Sequence, residues 1–151
     1  MSLVTIKVSG NSKPNEQFVV KAGAFKIGIG ENQTKPELNA PCPVEYILAG
    51  FAGCLNIVGG LVAKELNIEI KSIQIELSGV LDVDKYLGTP TLERAGFQTI
   101  EITVTPISDA PREVLKKWIS IVESRCPVYD NLFNHTPILL NLVHELQPEV
   151  V

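Results

Sequence analysis

Tyr46-Ile47-Leu48-Ala49-Gly50-Phe51-Ala52-Gly53-Cys54-Leu55-Asn56-Ile57-Val58-Gly59-Gly60-Leu61-Val62-Ala63 runs for eighteen residues without a charged side chain. That length is the lower edge of a membrane span. Four glycines, Asn56 in the middle and strand-like segments on both sides argue against a span. A helix apolar on every side is also what a fully enclosed helix of a soluble protein looks like. The small residues Ala49, Gly50, Ala52, Gly53, Gly59 and Gly60 let a second backbone approach closely. The segment therefore predicts a central helix wrapped by sheet or by a second subunit, and no membrane partner.

The flanks read as strands. Thr5 to Ser9 and Gln17 to Ile29 are rich in Val, Ile and Phe and alternate polar with apolar, with a turn at Ala22-Gly23. Gly30 to Pro43 holds few apolar residues and predicts a loop. After Asn67 the series Ile68, Ile70, Ile73, Ile75, Leu77 predicts a strand with a bulge or bend between Ile70 and Ile73. Phe97 to Ile107 predicts a second long strand and Pro137 to Leu146 a third. Between these two lies a helix, with Asp109 as N-cap, Pro111 in the first turn, Glu113 nearby, and Val114, Trp118, Ile121 and Val122 at helical spacing. Pro127 is expected to close it just after Cys126.

The whole chain, 1–151, reads as one folding unit, without internal repeat, linker or low-complexity tract. Its 45% apolar and 20% charged residues are globular values. A formal charge of −4 and the absence of any Lys/Arg cluster exclude a phosphate-neutralising surface, so no nucleic-acid partner is expected. The opening residues Met1 to Lys7 lack a basic leader and an apolar run before a small-residue cleavage site, which predicts a cytoplasmic protein. In a reducing compartment its three cysteines are free, reactive or metal-bound. No metal or other cofactor is expected: there is no Cys-x-x-Cys, and His135 and His144 lie nine apart. By composition alone, Cys54 and Cys126 read as small buried apolar residues, as most free cysteines are.

Three segments change that reading. Pro43-Val44-Glu45-Tyr46-Ile47-Leu48-Ala49-Gly50-Phe51-Ala52-Gly53-Cys54, Arg94-Ala95-Gly96-Phe97-Gln98 and Arg125-Cys126-Pro127-Val128-Tyr129-Asp130 stand in that order. Together they resemble the signature of the OsmC/Ohr family, and the resemblance covers most of the chain. It implies an α+β fold in which antiparallel sheets surround long central helices in an intertwined homodimer. It further implies a thiol peroxidase of oxidative-stress defence, with Cys54 as the peroxidatic thiolate and Cys126 as the resolving thiol. The implied partners are a peroxide substrate and an external dithiol or thiol-protein reductant.

The chemistry is consistent with that assignment, since a second thiol captures a sulfenic acid as a disulfide before it over-oxidises. Cys126, at the end of the helix begun near Asp109, is expected to be the less acidic thiol, facing the negative end of the helix dipole. Cys42 has no counterpart in the motif and reads as an ordinary thiol. His135 reads as a solvated loop histidine.

Two departures are visible. Hydroperoxide-specific members hold the thiolate with an arginine before the helix, whereas this chain has none before Arg94, leaving Lys21, Lys26 or Lys35 as substitutes that lack a guanidinium fork. Glu45 stands one position closer to Cys54 than in those members, and at about 100° per residue that puts the two side chains on opposite faces of a regular helix. Glu45 then supports the site only through an irregular first turn or in the partner subunit; otherwise it is a first-turn carboxylate favoured by the dipole. The alternative to an enzyme is a non-catalytic module of the same fold that holds a small apolar or acyl ligand near Cys54.

Overall fold

The structure, a computed structural model, describes residues 1–30 and 40–144. Within them the chain forms strands β1 (Val8–Asn11), β2 (Phe18–Ala22) and β3 (Phe25–Ile29), helix α1 (Pro43–Glu65), strands β4 (Ser72–Leu81) and β5 (Phe97–Ile107), and helices α2 (Arg112–Arg125) and α3 (Pro127–Phe133). β1, β2 and β3 make one antiparallel sheet, and β4 and β5 make another. The fold is α+β, as the family resemblance implied.

The first sheet is a meander whose tight turn follows Ala22, where Gly23 takes a φ of 60° that an L side chain rarely adopts. β1 begins three residues later than the alternation suggested, because Val8 is the first residue with a partner, Ala22, on β2. The sheet is tied to α1 by the Tyr46 hydroxyl, which donates to the Gly28 carbonyl at 2.8 Å. Most of the expected 30–43 loop lies outside the described residues.

α1 starts earlier than its uncharged stretch, with Pro43 at its first turn. Glu45 accepts a hydrogen bond from the Cys42 backbone N–H at 2.7 Å and so satisfies a donor at the helix start. The helix ends at Leu66 and Asn67, the latter at φ 51°, which turns the chain towards β4. Ile68 and Ile70 belong to this connection, so the slip before Ile73 marks the entry to β4, and the register shift falls instead between Val80 and Leu81.

β4 and β5 form a long two-stranded ribbon in which Ile75 faces Val104 and Leu77 faces Ile102. The alternate residues of this face pack against Phe51, Leu55, Val58, Val62 and Ala63 of α1 and Trp118, Val122 and Cys126 at the α2 end, which together form the core. α1 is long and apolar enough to cross a membrane by length and composition, but this face of it is covered by protein. The expected enclosure is only half met within one chain, since Ile57 is 65% and Leu61 49% exposed on the opposite face. One ribbon and one helix can cover only one side of α1.

Three further expectations are corrected. Asp109 does not cap α2: Pro111 occupies the N-cap, and Asp109 is drawn away by Lys71 in a 2.6 Å ion pair. Pro127 does not simply end α2. It ends one helix and opens α3, because a proline holds the preceding Cys126 extended, at φ −77° and ψ 111°, and is itself well suited to a first helical turn. The predicted strand Pro137 to Leu146 is absent over 137–144, and its last two positions lie outside the described residues. Ile138, Leu139, Leu140, Leu142 and Val143 are almost fully exposed there, and a strand needs a neighbouring edge to satisfy its backbone groups.

Candidate active site

The middle of α1 and the junction of α2 with α3 bring the thiols together. Cys54 is the twelfth residue of α1, one turn after the buried Phe51, and is half-buried. Cys126 occupies the break between α2 and α3, and is 1% exposed. Although 72 residues separate them in sequence, Cys126 donates through sulfur to Cys54 Sγ at 3.0 Å. Both remain free thiols, and closing a disulfide from this contact requires only about 1 Å of further approach.

The electrostatics at Cys126 differ from the simple helix-end expectation, because α3 begins where α2 stops. The Tyr129 backbone N–H donates to Cys126 Sγ at 3.5 Å. Burial and the hydrogen bond to Cys54 nevertheless push the Cys126 thiol up, against the lowering effect of the Tyr129 and Val128 N–H groups. The direction is the one expected from sequence, but its main cause is desolvation. The proton in the S–H···S contact accordingly stays on Cys126 and leaves Cys54 as acceptor.

The other candidates are not brought to this pair. Glu45 is engaged with the Cys42 N–H, about 14 Å along the helix axis from Cys54. Cys42 itself precedes α1, about 18 Å from Cys54 along the same axis, too far to bridge it within one chain. His135 is exposed, and its side chain makes no hydrogen bond among the described residues. Lys21 and Lys26 face each other across β2 and β3 and make no contact with Cys54, while Lys35 lies outside the described residues.

Two residues quoted in the sequence motifs take places that spacing alone did not reveal. The Tyr129 ring lies 6.1 Å from that of Phe51 and stacks on Phe133 at 5.5 Å, forming an aromatic wall beside the thiols. That wall bounds a cleft of about 530 Å³, whose other side is Ile47, Arg94, Phe97 and Ile102. At the far end of α2, Arg125 pairs with Glu65 at 2.6 Å and joins the ends of α1 and α2. The pair holds the Glu65 carboxyl below its usual range and the Arg125 guanidinium above.

The family model for OsmC-like proteins matches residues 33–141. No curated protein matches the chain by sequence. Among solved structures, an OsmC-like protein from Mycoplasma pneumoniae is 19% identical with a TM-score of 0.75, over 86% of this chain and 88% of that one. The organic hydroperoxide resistance protein OhrB of Bacillus subtilis is 23% identical with a TM-score of 0.56, over 85% and 90%. An organic hydroperoxide resistance protein OsmC from Legionella pneumophila is 17% identical with a TM-score of 0.59, over 87% and 91%.

Proposed function

Since this chain belongs to the OsmC-like protein family, we propose that it is a thiol-dependent peroxidase of oxidative-stress defence, reducing organic or hydrogen peroxides in the cytoplasm. The observation that carries the reading is the 3.0 Å contact between Cys54 and Cys126. Similarity to proteins described as conferring organic hydroperoxide resistance supports it.

In the proposed cycle the Cys54 thiolate attacks the distal peroxide oxygen. The O–O bond breaks, the proximal oxygen takes a proton and leaves as an alcohol or water, and Cys54 becomes a sulfenic acid. Cys126 then attacks the Cys54 sulfur, a disulfide forms and water departs. An external dithiol or thiol protein returns two electrons and two protons, regenerating both thiols as it becomes a disulfide. The buried, protonated Cys126 suits the second step, because it loses its proton only as Cys54 offers an electrophilic sulfur beside it.

The working unit is a homodimer in this reading. Support comes from the exposed face of α1, from the apolar 138–143 segment, and from β4 and β5, each of which has an unpaired edge among the described residues. A module that only holds an apolar ligand would also use the cleft. Peroxide titration separates the two: the peroxidase should lose two of its three thiols per peroxide consumed and recover them with a dithiol. Thiol loss no faster than that of free cysteine would defeat the enzymatic reading.

A further inference from the structure

Helix α3 has seven residues, none of them fully buried, and a helix of that length is not stable in water on its own. Val128 and Tyr129 are its residues that pack against the core, whereas Leu132 is 40% and Phe133 74% exposed. The placement of α3, and of Cys126 at its start, therefore depends on few side chains. Tyr129 reaches three places at once. Its ring lies 6.1 Å from that of Phe51, a residue 2% exposed and one turn before Cys54 on α1. Its backbone N–H donates to Cys126 Sγ at 3.5 Å, so that the sulfur caps the first turn of α3. Its hydroxyl meets the Glu123 carboxylate in the last turn of α2, and that hydrogen bond, with burial and the carboxylate's charge, pushes the phenol up.

We propose that Tyr129 is the positioning residue of the resolving sulfur: its ring and its N–H hold Cys126 Sγ against Cys54 Sγ by fastening α3 to the turn of α1 that precedes Cys54. The proposal deepens the peroxidase reading and rests on it for its consequence in turnover. Cys126 stands at the break between two helices, and rotation there would carry its sulfur out of the 3.0 Å contact. With that rotation already suppressed in the reduced protein, little ordering is left when the disulfide closes. The step that gains is the attack of Cys126 on the Cys54 sulfenic acid, in which an S–S bond forms, the S–O bond breaks and water leaves. Its competitor is a second peroxide, which oxidises the same sulfenic acid to a sulfinic acid. Tyr129 exchanges no atom in either step.

The thiol pair is read first without peroxide, from the exchange equilibrium of the full-length protein with mixtures of oxidised and reduced dithiothreitol. There the two protein thiols give two electrons and two protons to the cyclic disulfide. A residue that only supported the fold would stabilise the dithiol and disulfide forms alike and leave that equilibrium unmoved. Tyr129→Leu, which removes the ring but keeps an apolar side chain, should lower the equilibrium constant for the Cys54–Cys126 disulfide about tenfold, equivalent to about 30 mV towards easier reduction. Tyr129→Phe, which keeps the ring, should restore most of it. Phe51→Leu removes the other ring of the pair and should act like Tyr129→Leu, the two together doing no more than either alone. With excess hydrogen peroxide, a probe too small to depend on the aromatic cleft, Tyr129→Leu should accumulate about tenfold more Cys54 sulfinic acid per disulfide formed. An unchanged exchange equilibrium in Tyr129→Leu overturns the proposal, as does an equal loss in Tyr129→Phe or a simple sum of the Phe51 and Tyr129 effects. If Tyr129→Leu does not fold, an unchanged equilibrium in Phe51→Leu overturns it in the same way. If no peroxide is consumed at all, the peroxidase reading fails, while the exchange equilibrium still decides the role of Tyr129.

Discussion

The indole N–H of Trp118 donates to the backbone carbonyl of Gly59 at 2.9 Å in the buried core. A Cβ on Gly59 would lie 3.0 Å from Trp118 Cζ2 and 3.3 Å from Ile73 Cδ1. The missing side chain at Gly59 is therefore what allows the largest side chain of α2 to lie against α1, and the contact sets the approach of α2 and with it the position of Cys126. Gly60, the next residue, meets nothing within 4 Å and belongs to the open face.

Trp118→Ala should cost about 3–5 kcal/mol, as expected for a buried aromatic truncation, and Trp118→Phe should cost less while losing the hydrogen bond. Gly59→Leu should be at least as damaging as Trp118→Phe, because the added side chain has to displace an indole ring and an isoleucine. Gly60→Ala should leave the folding of the single chain intact and gain a few tenths of a kcal/mol or more in helix propensity. Urea denaturation of the four variants checks the order; a harmless Gly59→Leu would contradict the close packing.

Legibility in the sequence followed locality. β5 was readable to both ends because Phe97, Ile100, Ile102 and Val104 mark one buried face without help from other segments. The N-cap of α2 was not, because Lys71, 38 residues earlier, claims Asp109. Pro127 was recognised as a stop, but its second role as the start of α3 depends on where the Cys126 carbonyl goes, and it accepts from the Asp130 N–H at 3.0 Å. The meeting of Cys54 with Cys126 could not be read from spacing across 72 residues, and entered only through the resemblance of both motifs to one family. Arg94 was visible as part of a motif, yet its place in an aromatic cleft depends on α3 folding back over α1.

Removal of residues 137–151 should weaken or abolish the dimer. Ile138, Leu140 and Leu142 share one side of an extended chain and are 85%, 95% and 95% exposed, a pattern that calls for a sheet edge to cover them. Sedimentation at micromolar concentration should give a dimer for the full chain and a monomer for the shortened one. A stable monomer of the full chain would eliminate the intertwined assembly.

The raised Cys126 thiol has a consequence for alkaline stability. A group whose pKa is higher in the folded state favours folding through its neutral form. That contribution is complete below the ordinary thiol value of 9.0 and is lost as pH rises towards the higher folded value. Reduced protein should therefore lose stability above about pH 9 more steeply than Cys126→Ser, which has no ionisable group there. Parallel denaturation curves for the two proteins between neutral and alkaline pH would show that burial does not hold the thiol neutral.

The order of the two sulfurs is the sharpest expectation. Cys126 is buried, keeps its proton and donates it towards Cys54, while Cys54 is only half-buried. Attack should begin at Cys54 and resolution at Cys126. Cys54→Ser should abolish peroxide consumption. Cys126→Ser should permit one turnover and leave a sulfenic acid on Cys54 that a dimedone-type probe traps, because no thiol remains within reach to resolve it. Mass mapping of oxidised wild-type protein should find Cys54 joined to Cys126 and Cys42 still alkylatable, since α1 holds Cys42 about 18 Å away along its axis. Labelling of Cys126 by the probe in Cys54→Ser, at a rate near that of the unsubstituted protein, would reverse the order. A bridge to Cys42 in place of Cys126 would mean that the first turns of α1 unwind during the reaction, and that the 3.0 Å contact is not the reacting pair.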